Sequence, residues 1–127
     1  MRKPLLRPVC ILLAIFIFAL LNSYHIQKNT AHWSETLQQA VSYVQSENWA
    51  SAQEALKQSY EDWNHAQTYL HIVLEHDAID DADAMFRRAF AFAETQDTQE
   101  LQAELADLID QLNLLAEMER LSLKNVL

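Results

Sequence analysis

The stretch NWASAQEALKQSYEDWNHAQTYLHIVLE, residues 48–75, decides how the rest of the chain must fold. Its apolar side reads Trp49, Ala52, Leu56, Tyr60, Trp63, Gln67, Leu70 and Leu74. These positions are spaced by threes and fours and so fall on one stripe of a 3.6-residue helix. Only Gln67 interrupts it. With Ala55, Ala66 and Val73 on the flank, the face is too wide for a two-stranded seam. It needs cover from more than one neighbouring helix. At about 1.5 Å per residue such a helix spans about 40 Å. The other segments are therefore read as its partners.

Composition points the same way. The chain has 127 residues, half of them hydrophobic, enough for one small domain with a core. It contains no glycine, and its two prolines are Pro4 and Pro8. From Val9 onward no proline or glycine interrupts a helix, and nothing readily supplies the positive φ of tight hairpin turns. The expected class is all-α. Glycine-rich phosphate loops and dinucleotide fingerprints are excluded, because they need glycine for close backbone approach.

The formal net charge of −9 is unevenly spread. Arg2, Lys3 and Arg7 precede the first apolar run, and no acid comes before Glu35. Past that run, 18 acids face the six remaining basic residues, leaving a body near −12. Such a body repels nucleic acid and anionic lipid headgroups, so no nucleic-acid partner is expected. One cysteine, Cys10, allows neither an internal disulfide nor a CxxC metal or redox site.

The run VCILLAIFIFALL, residues 9–21, follows the basic N-terminus and approaches the length of a membrane span. A cleaved signal peptide would want small residues before its cut, and ALLNSY at 19–24 offers a poor site. A lipoprotein signal would place the cysteine after the run, whereas Cys10 opens it. An uncleaved signal anchor needs neither feature and is the preferred reading. The positive-inside rule then leaves 1–7 in the cytoplasm and puts the acidic body outside. The expected organisation is a basic segment at 1–7, a transmembrane signal anchor at 8–23, a juxtamembrane stretch at 24–32 and an acidic helical domain at 33–127. The stretch at 24–32 has no breaker and could carry the membrane helix into the domain.

Helices are expected near 33–46, 48–75, 77–95 and 97–119. Trp33, Leu37, Ala40, Val41 and Val44 line the first, with Asn48 as N-cap of the second. Ile79, Ala82, Phe86, Ala89, Phe90 and Ala93 line the third, capped by Asp77, and Leu101, Leu105, Leu108, Leu112 and Leu115 line the fourth. Asp97 with Glu100 reads as a capping-box-like start. SENWASAQEAL at 46–56 echoes TQDTQELQAEL at 95–105 as a polar turn followed by a helix start. The fold expected is an N-terminal transmembrane helix followed by an antiparallel four-helix bundle, built as two hairpins with a faint repeat.

Several features also resemble a family. Asn48-Trp49 opens the long helix, with Trp63 further along it. LEHDAID at 74–80 spans the central break, and ERLSLKNVL at 119–127 ends the chain. On these features the chain resembles the bacterial membrane-anchored family catalogued as domain of unknown function 4363. This chain departs from the family pattern at Ala78, where an acid is expected. The resemblance transfers no activity. It implies an accessory role beside a multi-pass membrane protein.

Candidate chemistry is sparse. Glu75, His76, Asp77, Asp80, Asp81 and Asp83 crowd the central break, but without EF-hand spacing or its glycine. They read first as an acidic helix start, and His76, Asp77, Asp80 and Asp81 remain the candidate metal ligands. The five histidines make no zincin motif, and Asp62-x-x-His65 is a single shortened match to the di-iron pattern. His71 is read as a surface partner of Glu75. Trp33, Trp49 and Trp63 are assigned to the core, Tyr43 and Tyr69 to exposed positions. No serine sits in a nucleophile elbow or beside a Ser-x-x-Lys lysine. No catalytic residue and no cofactor are expected, and the protein is read as a non-enzyme.

The apolar C-terminus, with Leu121, Leu123 and Val126, should either fold back over the core or dock on a partner; with Tyr69 these are the candidate partner-binding residues. The functional expectation is a membrane-anchored, non-catalytic binding or accessory protein with its acidic domain outside. A multi-pass membrane protein is the expected partner, and a homo-oligomer is possible. The alternative is a cation- or pH-responsive sensor using the cluster around His76.

Overall fold

The computed structural model describes residues 3–126 and contains four α-helices, with no strand among the described residues. They are α1 (Lys3–Gln45), α2 (Trp49–Val73), α3 (His76–Glu94) and α4 (Thr98–Val126). Each helix packs on its chain neighbour, and α4 closes the ring against α1. The pairings run antiparallel. Trp33 meets Trp63 while His25 meets Tyr69, and Gln53 donates to the Ala93 carbonyl while Gln67 donates to Asp83.

The first helix is long, running from Lys3 to Gln45 through the stretch at 24–32 that has no breaker. The apolar N-terminal segment, the stretch at 24–32 and the first bundle helix are one continuous α-helix, with no glycine or proline to interrupt it after Pro8. Residues 4–18 are exposed all round, whereas Ser23, Ile26, Thr30, Trp33, Leu37, Ala40 and Val44 are buried at alternating steps of three and four. The bundle therefore begins at Ser23, ten residues earlier than the hydrophobic pattern suggests. Ser23 and Thr30 hide the signal by being polar.

The same three-four spacing recurs at Ile79, Ala82, Phe86, Ala89 and Ala93 and at Leu101, Leu105, Leu108, Leu112 and Leu115. This is the packing of helices nearly aligned in a bundle. In α2 the buried stripe differs from the expected one: Trp49, Tyr60 and Leu74 are only partly buried, and Ser59, fully buried, joins the core. The Ser59 hydroxyl donates to the Trp33 carbonyl at 3.3 Å, so its small polar side chain is satisfied in the α1–α2 seam. Trp63 lies at the centre, edge-on to Trp33 and 5.8 Å from Phe86 between ring centroids. Trp49, Tyr69 and Phe90 pack around the core half-buried.

Two of the turns share one design. The Asn48 N–H reaches back to the Tyr43 carbonyl and the Glu47 N–H to Val44; the Asp97 N–H reaches Phe92 and the Gln96 N–H reaches Ala93. Both are helix stops with a left-handed residue, Glu47 and Gln96, in the place glycine usually takes. Positive φ is not what a chain without glycine leads one to expect. Asn48 then caps the Ser51 N–H and Asp97 caps the Glu100 N–H, as expected. The return half of a capping box does not form, since the Asp97 N–H is already used by Phe92.

Candidate functional site

The central break is the shortest turn in the molecule. Only Leu74 and Glu75 separate α2 from α3. The Leu74 N–H donates to Leu70 and the Ile79 N–H to Glu75, while Leu70 and Ile79 are buried on either side. The N-cap of α3 is Glu75, whose side chain makes no capping bond; Asp77, expected in that role, stands in the first turn. The helix starts early because Glu75 is extended and lets the chain reverse at once.

That tight reversal brings His71, in the last turn of α2, against His76, the first residue of α3. Their Nδ1 atoms are 2.9 Å apart and their rings 4.6 Å between centroids. At that distance one nitrogen must donate and the other must offer a lone pair. On its other side His76 Nε2 stands 3.4 Å from Asp80 Oδ2, one turn further along α3. Donor atoms of His71, His76 and Asp80 all lie within 4.8 Å of one another.

Of the expected ligands, His76 and Asp80 are thus brought together, while Asp77 and Asp81 are exposed and outside the group. Asp83 is engaged elsewhere, accepting from Gln67 at 2.9 Å and pairing with Arg87 at 2.9 Å. This explains the one polar interruption in the α2 stripe. The sequence pattern does not mark His71 as a member. The signal that finds it is its place two residues before the end of α2, ahead of a two-residue turn, which puts it opposite the start of the next helix.

A second polar group occupies the end of the bundle where the exposed apolar part of α1 begins. Asn22 donates to Glu119 of α4 at 3.3 Å. Burial pushes the Glu119 carboxyl above its ordinary range, with the Asn22 bond pulling weakly the other way. The Tyr69 phenol is likewise raised, first by burial and then by the negative charge of Glu119. Tyr69, expected to be exposed, is half-buried because the extended α1 brings His25 edge-on to it at 5.5 Å. A groove of about 430 Å3 runs beside it between α1 and α2, with His32 and Asp62 3.4 Å apart.

The C-terminal residues neither fold back nor end at 119. Helix α4 continues to Val126 alongside α1, antiparallel to it. Past Glu119 its remaining turns rise about 10 Å, to the level of the exposed apolar residues of α1. Leu121 is 49% exposed. The side chains of Leu123 and Val126 lie outside the described residues. Ala78, where the resemblance led an acid to be expected, is buried and its carbonyl accepts from Gln111 at 3.0 Å.

Among the described residues one helix, α1, is long and apolar enough to cross a membrane. No curated protein and no solved structure matches the chain. A family described as a domain of unknown function matches residues 20–126, the bundle from just before Ser23 to the end of α4. The chain belongs to that family, DUF4363.

Proposed function

We propose that the protein is a non-catalytic, membrane-anchored accessory subunit whose acidic four-helix domain stands outside the cytoplasmic membrane. The observation that carries this reading is the continuity of α1. Its exposed apolar part and its buried bundle part are one unbroken helix, so an anchored span would hold the domain at a set distance and angle from the bilayer. The basic residues Arg2, Lys3 and Arg7 on one side and the acidic body on the other favour the inside-to-outside orientation. A domain held in this way offers helix surfaces to a neighbour in the membrane, and its charge selects a partner with a basic face. Leu121 and the neighbouring turns of α4, alongside the apolar part of α1, are the surface proposed for contact with a multi-pass protein.

The experiment is in-membrane crosslinking of a tagged full-length chain, followed by purification and mass spectrometry. A single stoichiometric multi-pass protein is the expected product. Self-crosslinks alone would replace this reading with a homo-oligomer. Orientation is read separately from C-terminal fusions: a phosphatase should be active and a fluorescent protein dark, and the reverse pattern would overturn the topology.

A further inference from the structure

We propose that His71, His76 and Asp80 form a binding site for one divalent transition-metal ion of the zinc class, which fastens α2 to α3 across their turn. The proposal goes beyond the accessory reading and stands whether or not a partner is found. Three features of the turn carry it.

The first is the donor set. Two imidazoles and one carboxylate suit zinc, cobalt, nickel or copper, whereas calcium and magnesium prefer cages of oxygen. Although the stretch around the break is rich in acids, among the described residues only Asp80 joins the two rings. The recognised ion therefore changes from a hard cation to a borderline one. Three protein ligands leave a fourth position for water or for a donor from another molecule.

The second is geometry. Nδ1 of His71 and Nδ1 of His76 are 2.9 Å apart, and the donor atoms of the three residues all lie within 4.8 Å of one another. Two ligands on a tetrahedral zinc, with bonds of about 2.0–2.2 Å, stand about 3.3 Å apart. His76 meets His71 through Nδ1 and Asp80 through Nε2, so one ion held at the two Nδ1 atoms requires the Asp80 carboxylate, or the His76 ring, to turn until all three donors face it, starting from a spread of 4.8 Å between residues that all sit on helices. The hydrogen bond between the rings also holds one lone pair aimed at the other ring, in the place a metal would take.

The third is the electrostatic setting. A helix N-terminus by itself favours anions. Here Glu75, Asp77, Asp80 and Asp81 surround the first turn of α3 and reverse that field. Repulsion among those acids would be relieved by a bound cation, which gives the acidic start of α3 a reason that capping does not supply, since Glu75 makes no side-chain cap.

The test uses the full-length chain in detergent micelles, titrated with Zn2+ by calorimetry and with Co2+ by visible absorption. One equivalent should bind, with the absorption of a four-coordinate Co2+ site and a higher melting midpoint. His71→Ala and His76→Ala should each weaken binding more than the ~10–100-fold that loss of a supporting residue typically causes. Asp80→Asn should weaken it in the same direction, while Asp77→Asn, Asp81→Asn and the combined His25→Ala, His32→Ala, His65→Ala variant should not. His71→Gln and His76→Gln, which keep side-chain bulk, serve if an alanine variant loses its helical circular-dichroism signal. Absence of one-equivalent binding would overturn the proposal. So would binding that survives loss of both His71 and His76, or Ca2+ binding as tight as Zn2+, which would return the site to the acids alone.

Discussion

Glu47 and Gln96, 49 residues apart in the chain, hold the same left-handed backbone conformation, with φ of 59° and 52°. Each stops a helix, and the residue after each, Asn48 or Asp97, caps the next one. The faint echo between residues 46–56 and 95–105 is thus the same turn used twice. A side chain in this conformation costs about 1–2 kcal/mol that glycine would not incur. Glu47→Gly and Gln96→Gly should each stabilise the bundle by about 1 kcal/mol, measured by thermal melting in micelles. A fall in the midpoint for both would refute this account of the turns.

Trp63 is the largest fully buried side chain, and its Nε1 has no hydrogen-bond partner among the described residues. Its worth therefore comes from packing against Trp33 and Phe86. Trp63→Ala should cost about 3–5 kcal/mol. Trp63→Phe should cost clearly less, since it keeps an aromatic ring and removes the unpaired donor. Equal losses, read from denaturant melts, would mean that the indole N–H is bonded after all.

Glu119 is raised by burial, so its charged form is the one the fold penalises. A carboxyl whose folded value lies above its unfolded value binds its proton more readily when folded. That penalty is in full force above the folded value and is relieved as pH falls toward the unfolded one. Glu119→Gln should raise the melting midpoint at pH 7, and the advantage should shrink on acidification toward the ordinary carboxylate range. A benefit that grows with acid would reverse the sign of this argument.

Leu121 is half-exposed on the part of α4 that runs beside the apolar part of α1. As a surface change, Leu121→Asp should shift stability by only about 0.5 kcal/mol. Combined with Leu123→Asp and Val126→Asp, it should abolish recovery of the crosslinked partner while the helical circular-dichroism signal persists. Full recovery from the triple variant would remove the C-terminal turns from the docking surface.

Gln67 stands in the apolar stripe of α2 because Asp83 needs it. Replacing it by leucine extends the stripe but leaves the partly buried Asp83 to Arg87 alone. Gln67→Leu should destabilise by about 1 kcal/mol despite the added hydrophobic area, and Gln67→Leu with Asp83→Leu should recover most of it. A double variant no better than the single one would show that the pair is not coupled.

By itself the sequence determined the class, the helix count and most of the core. A chain without glycine, whose apolar residues recur at steps of three and four, has little choice but amphipathic helices. Leu101 to Leu115 and Ile79 to Ala93 are buried as that periodicity requires. It also showed the apolar N-terminal run and the residues that mark the family. Polar residues were legible only where they cap, as Asn48 and Asp97 do. Ser23, Thr30 and Ser59 are buried through contacts that local pattern cannot express, and so the bundle reaches further toward the apolar run than the hydrophobic residues suggest. The grouping of His71 with His76 and Asp80 was decided only by the tertiary structure. It depends on a two-residue reversal between α2 and α3, and the angle of that reversal comes from burying Leu70 and Ile79 against the other helices.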